Sequence, residues 1–186
     1  MQNNFNGTFT LFKLMLKHEK IKILIWLVSL VSITLLTAYS YPNIYKNQEE
    51  ILAFAITMQN PAMKVMIGVG YPVEAYNTAL TFAHEMLLFI IVAVAVMNIM
   101  FAVKLYRGDE EEGRVELIRS LPVGRFSYFL AASLLILIIN VILIIGLGFG
   151  LASLNLPGMS FASSILYGVL IGLSGLVFAS FAALFS

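Results

Sequence analysis

Cysteine is absent from this 186-residue chain. That excludes disulfides, thiolate metal sites and cysteine nucleophiles, and it leaves the redox compartment open. Charge is scarce as well, at 11% of residues, against about a quarter in soluble domains. The phosphate loop G-x-x-x-x-G-K-[ST] is missing, and with it the means to cradle a nucleotide. Neither G-x-S-x-G nor H-E-x-x-H occurs. No basic patch with interleaved aromatics points to nucleic acid.

What fills the sequence is hydrocarbon: 60% of residues are hydrophobic. The composition is that of an integral membrane protein, and the pattern predicts an all-α, polytopic bundle of about four transmembrane helices within a single transmembrane domain, residues 1–186. Residues 23–41 and 82–103 each suffice to cross a hydrocarbon core of about 30 Å at about 1.5 Å per residue, and 126–151 and 160–186 do so as well. Residues 9–22 carry Lys13, Lys17 and Lys20 on one arc of a helical wheel with apolar residues around the rest, the pattern of an interfacial helix. Residues 42–81 are mixed. Ile51, Phe54, Ala55 and Met58 recur at helical spacing, and Asn60-Pro61 reads as a cap followed by a first-turn proline, so two short amphipathic helices are expected there.

Polar residues inside the spans are few. Asn98 and Asn140 each lie within one, and a bond between them would join two helices. Gly168, Gly172 and Gly175 in the last span would let another helix approach closely. His84-Glu85, at one end of the second span, reads as a pair of interface polar groups, because adjacent helical residues point about 100° apart. No catalytic, cofactor-binding or metal-ligating residue is assigned.

Residues 104–125 are the one long charged interruption, with ten charged side chains. Each would cost about 2.5–3.5 kcal/mol at the centre of a membrane helix, so this loop lies in water. Asp109 and Glu112 have the spacing of a capping box, and Pro122 would end a short helix. Val115, Leu117, Ile118 and Leu121 share one side of it, and Glu112, Glu116 and Arg119 the other. Lysines and arginines number four before the first span, two in 42–81, five in 104–125 and none before the fourth span. The positive-inside rule then puts the amino terminus and the 104–125 loop in the cytoplasm of a multi-pass cell-membrane protein.

The run Arg107-Gly-Asp-Glu-Glu-Glu-Gly-Arg-Val-Glu-Leu-Ile-Arg-Ser-Leu-Pro-Val-Gly-Arg125 resembles the cytoplasmic loop of bacterial ABC-2-type transporter permeases, in particular the polyketide-antibiotic exporter group. A looser likeness reaches back through Asn60-Pro-Ala-Met-Lys64 and Gly68-Val-Gly70. The resemblance implies the amino-terminal portion of a longer permease whose halves have six spans each. It implies a partner ATPase that uses ATP, and export of antibiotic-like or amphipathic molecules. It makes 9–22 an elbow helix, and it makes the loop a coupling helix that docks in the ATPase through Glu110, Glu111, Glu112, Arg114, Leu117, Ile118, Arg119 and Leu121. Further partners would be the bilayer and the remaining permease half or an oligomer partner.

Two other readings compete. One is a small membrane scaffold or regulator that binds another permease. The other, weaker, is an intramembrane hydrolase: the glutamates at 110–112 invite comparison with the E-E-x-x-x-R motif of membrane proteases, but the arginine positions are Val115 and Glu116. The expected function is therefore a permease subunit or fragment and not an enzyme.

Overall fold

The computed structural model describes residues 5–111, 124 and 126–185, with the side chains of 108–111 outside the described set. Among the described residues, four helices are long and apolar enough to cross a membrane: α1 (Thr8–Ile44), α4 (Thr78–Glu111), α5 (Ser127–Ser153) and α6 (Phe161–Leu184). Between α1 and α4 lie α2 (Gln48–Met58), α3 (Pro61–Ile67) and a 3-10 turn at Val73–Ala75. The architecture is an all-helical membrane bundle.

Two elements run further than hydropathy indicates. The stretch 9–22 is no separate interfacial helix, because it continues without a break into the first span as the 37-residue α1. Lysine is a good helix former, so a change from lysine-bearing to purely apolar sequence moves the helix out of one solvent without ending it. Helix α4 likewise passes through Gly108 and Asp109 to Glu111, where a new helix was expected to start. Asp109 is therefore helical backbone near the end of α4 and not an N-cap, while Glu112 and the rest of the expected loop helix lie outside the described residues.

The chain forms two compact units, each drawing on parts of all four long helices. The first comprises 1–28, 94–142 and 172–186. On α1 its buried stripe is Leu11, Met15, Glu19, Ile23 and Leu27, a repeat of four that keeps one side of the helix inward. Met97, Phe101 and Leu105 of α4 and Ala131, Leu135 and Ile139 of α5 complete that core. Lys13, Lys17 and Lys20 are exposed. At the start of α5, Ser127 Oγ donates to the Asn6 carbonyl (2.7 Å), and so does the Gly124 backbone N–H (2.8 Å).

The second unit comprises 29–93 and 143–171. Here glycines set the helix spacing. A methyl at Gly146 would stand 3.1 Å from Val31, and one at Gly150 would stand 2.8 Å from Leu35, so α5 meets α1 along its glycine face. On another side of α5, a methyl at Gly168 would be 2.7 Å from the Ile144 carbonyl and 3.0 Å from the Gly148 nitrogen. Helices α5 and α6 thus touch backbone to backbone. Asn47 caps α2 by accepting from Glu50 N–H (2.9 Å), and Asn60 caps α3 by accepting from Ala62 N–H (2.9 Å). The α5–α6 turn uses positive φ at Asn155 and Gly158, and the side chain of Asn77 fills the space that a β-carbon on Gly158 would need.

Candidate functional site

In the first unit the structure brings Asn98 and Asn140 together. Asn98 Nδ2 donates to Asn140 Oδ1 at 3.1 Å, and Asn140 Nδ2 donates to Asn98 Oδ1 at 2.6 Å. The second hydrogen of each amide goes to its own helix, to Val94 O and Ile136 O. Both side chains are fully buried, and every amide donor is used. Gly175 of α6 lies against this pair, where an added β-carbon would collide with both amides. Gly172 is buried one turn earlier. This arrangement pins three helices and offers no free polar group for chemistry.

Glu19 is the residue that sequence reasoning missed. It occupies the middle of the four-residue apolar stripe on α1 and is 6% exposed. Its Oε1 lies 2.8 Å from Lys104 Nζ on α4, and Oε2 lies 3.7 Å from Lys22 Nζ. The signal was available: one acid within a run of buried apolar residues at i, i+4, i+8 needs a partner. The lysine stripe on the other side of the same helix drew attention away from it.

In the second unit, His84 and Glu85 face different partners. Glu85 Oε2 accepts from Tyr41 (2.8 Å) and Tyr45 (3.3 Å), two phenols one turn apart on and just after α1. Burial, and then the neighbouring Glu85 carboxylate, push the Tyr45 phenol up to about 12. His84 Nδ1 pairs with Tyr76 Oη at 2.6 Å, and Tyr76 Oη also accepts from the Tyr71 backbone N–H at 3.3 Å. Burial raises the Tyr76 phenol above its ordinary value, so it stays protonated. Phe54, Tyr71 and Tyr76 set their rings around the imidazole, while Tyr41 and Tyr167 both pack on Phe82.

A groove of about 370 Å³ opens beside this cluster, walled by apolar side chains of α4 and α6 and by Ile67 and Val69. His84 and Tyr167 reach it. Among the described residues no group of histidines and carboxylates could hold a metal ion. The expected docking residues Glu112, Arg114, Leu117, Ile118, Arg119 and Leu121 lie outside the described residues, and of Glu110 and Glu111 only the helical backbone is described.

The multidrug efflux system permease protein Rv1217c of Mycobacterium tuberculosis (strain ATCC 25618 / H37Rv) is 31% identical over 184 residues, which are 97% of this chain and 32% of that protein. The chain therefore spans about a third of that relative's length. The family model that matches describes a carboxy-terminal domain, whereas the loop resemblance implied an amino-terminal portion. Since the match to this model, the C-terminal domain of the multidrug efflux system permease Rv1217c, runs over residues 10–185, the chain belongs to that family of efflux permeases.

Proposed function

We propose that the chain is a membrane-spanning part of an ATP-driven exporter of antibiotic-like or amphipathic molecules, allied to the polyketide-antibiotic exporter group and energised by a separate ATPase. The observation that carries this reading is the family match across 10–185, together with the densely charged run from 104 to 125 that interrupts four apolar helices. The relative's description as a multidrug efflux permease supports the substrate class. The distribution of lysine and arginine supports a cytoplasmic amino terminus and a cytoplasmic 104–125 loop. On that side Glu110–Leu121 would meet the ATPase, with Leu117 and Ile118 as apolar anchors and the glutamates and arginines around them.

The test is co-purification of the ATPase with the permease, followed by efflux from energised vesicles. Leu117→Asp and Ile118→Asp should each abolish co-purification while membrane insertion persists, because a charge would be desolvated at the contact. An ATPase that co-purifies as well with both variants refutes the docking role, and efflux that continues without ATP refutes the energy source.

A further inference from the structure

A buried carboxylate carries one negative charge and needs one cation. Glu19, in the first unit, has two. Lys104 Nζ stands 2.8 Å from its Oε1 and Lys22 Nζ 3.7 Å from its Oε2, and the two ammonium groups also act on one another. Both lysine side chains reach the surface, 59% exposed at Lys22 and 45% at Lys104, while the acid between them does not. The cluster therefore presents a surplus positive charge to its surroundings. Within four residues of Lys22 on α1 and of Lys104 on α4, the only acid in the sequence is Glu19 itself, so neither helix neutralises that surplus locally.

The place of the pair along the helices says which anion fits. Helix α1 has no charged residue from Ile23 to Ile44, and α4 has none between Glu85 and Lys104. Lys22 and Lys104 are thus the last charges before hydrocarbon on two helices that meet at Glu19, which is the depth of lipid headgroups. One turn further into the spans, Ile25 of α1 and Met100 of α4 are 59% and 55% exposed, each on the same side of its helix as the lysine. An anion with a hydrocarbon tail meets charge and then apolar surface in that order. Inorganic phosphate or a soluble acid would use only the first.

We infer that Lys22 and Lys104, set side by side by the buried Glu19, bind the phosphodiester of an anionic phospholipid whose acyl chains lie against Ile25 and Met100. The inference rests on the membrane bundle and not on transport. A zwitterionic lipid brings a cation of its own to a cluster already in positive excess, and Glu19, at 6% exposure, is too deep to receive it. Phosphatidylglycerol is therefore preferred over phosphatidylcholine. Lys13, Lys17 and Lys20 lie on the opposite side of α1 from Lys22 and are exposed. They add a diffuse attraction to an anionic leaflet, one that salt screens.

The single tryptophan, Trp26, lies one turn beyond Lys22, about 6 Å along α1, and so reports on the lipid beside the pair. The protein is reconstituted in phosphatidylcholine vesicles containing a small fraction of lipid brominated near the top of its acyl chain, either phosphatidylglycerol or phosphatidylcholine. Bromine quenches the indole on contact. At equal fractions the phosphatidylglycerol should associate about fivefold to tenfold more strongly, since a lysine near an anionic headgroup is worth about fivefold. Lys22→Gln should bring the two lipids to within about twofold of each other, and Lys22→Arg should keep the preference. Lys13→Gln combined with Lys17→Gln should lower it by less than about twofold. Lys104→Gln should act as Lys22→Gln does; should it loosen α1 from α4, the Lys22 variants carry the test, because Lys22 makes the longer contact with Glu19. Thermal unfolding shows which variants are folded. Equal quenching by the two lipids in the unaltered protein would overturn the proposal, and so would a preference that survives in folded Lys22→Gln. A preference lost as fully in the Lys13→Gln, Lys17→Gln variant would overturn it too, leaving only the general attraction of a basic helix end to an anionic surface.

Discussion

Replacing Asn98 with leucine should harm the fold more than replacing Asn98 and Asn140 together. In the native pair, both hydrogens of each amide are used and each side-chain oxygen accepts one bond. Leucine at 98 removes both cross-helix bonds, each worth about 0.6 kcal/mol on average in membranes and at most about 1.7. It also leaves Asn140 with one acceptor and one donor unsatisfied in a fully buried site, which adds about 1–3 kcal/mol. The single substitution should therefore cost about 2–4 kcal/mol, and Asn140→Leu about the same. Two leucines keep the branched skeleton but must stand about 4 Å apart, which adds about 1 kcal/mol of strain beside Gly175. They orphan nothing, so the double variant should cost about 1–2 kcal/mol where additivity demands about 4–8. The assay is equilibrium unfolding in mixed micelles, followed through the single tryptophan, Trp26. A double variant as unstable as the sum of the singles, or singles within about 0.5 kcal/mol of the native protein, would refute the reasoning.

Gly168→Ala should lower the unfolding temperature through about 1–3 kcal/mol of overpacking, since the methyl meets backbone at Ile144 and Gly148 and neither can rotate away; an unchanged transition in the same assay would show that α5 and α6 can separate freely. Lys104→Met should destabilise more than Glu19→Gln, because it leaves a carboxylate that is 6% exposed with only the longer contact to Lys22, at 3.7 Å. The difference should be about 1–2 kcal/mol, reduced from the figure for fully buried pairs because the lysine side chain is 45% exposed to screening. Equal losses for the two would refute that assignment of the buried charge. Single cysteines at Ser120 and Asn155, in a chain that has none of its own, should react differently with an impermeant maleimide: position 155 on intact cells, position 120 only after permeabilisation. The opposite pattern inverts the orientation.

The four membrane-crossing helices were legible because hydropathy over twenty or more residues reports solvent, and solvent is what a bilayer changes. Helix ends were not legible by the same signal. In α1 the chain passes from lysine-bearing to apolar sequence near Lys22 while the backbone hydrogen bonds run on, and in α4 the charged residues from Lys104 onward extend the helix that carries them. Asn98 and Asn140 stood out as amides within apolar spans, and their pairing needed only that two helices be neighbours. Glu19 did not stand out, because the lysines around it made an acid look like one more surface charge. The His84 groove was out of reach for a different reason. Tyr71, Tyr76, His84 and Tyr167 come from a connecting segment and two helices, and no local spacing encodes their meeting.

The carbonyl of Asn6 holds the polypeptide at both Gly124 and Ser127, where the chain returns from the charged loop to α5. Whatever is joined ahead of residue 6, an affinity tag, a fluorescent fusion or further natural polypeptide, therefore pulls on the return end of that loop. A label for following that loop is better placed elsewhere, and a tag moved closer to Asn6 in steps becomes a graded way to perturb the loop without altering a single side chain within it.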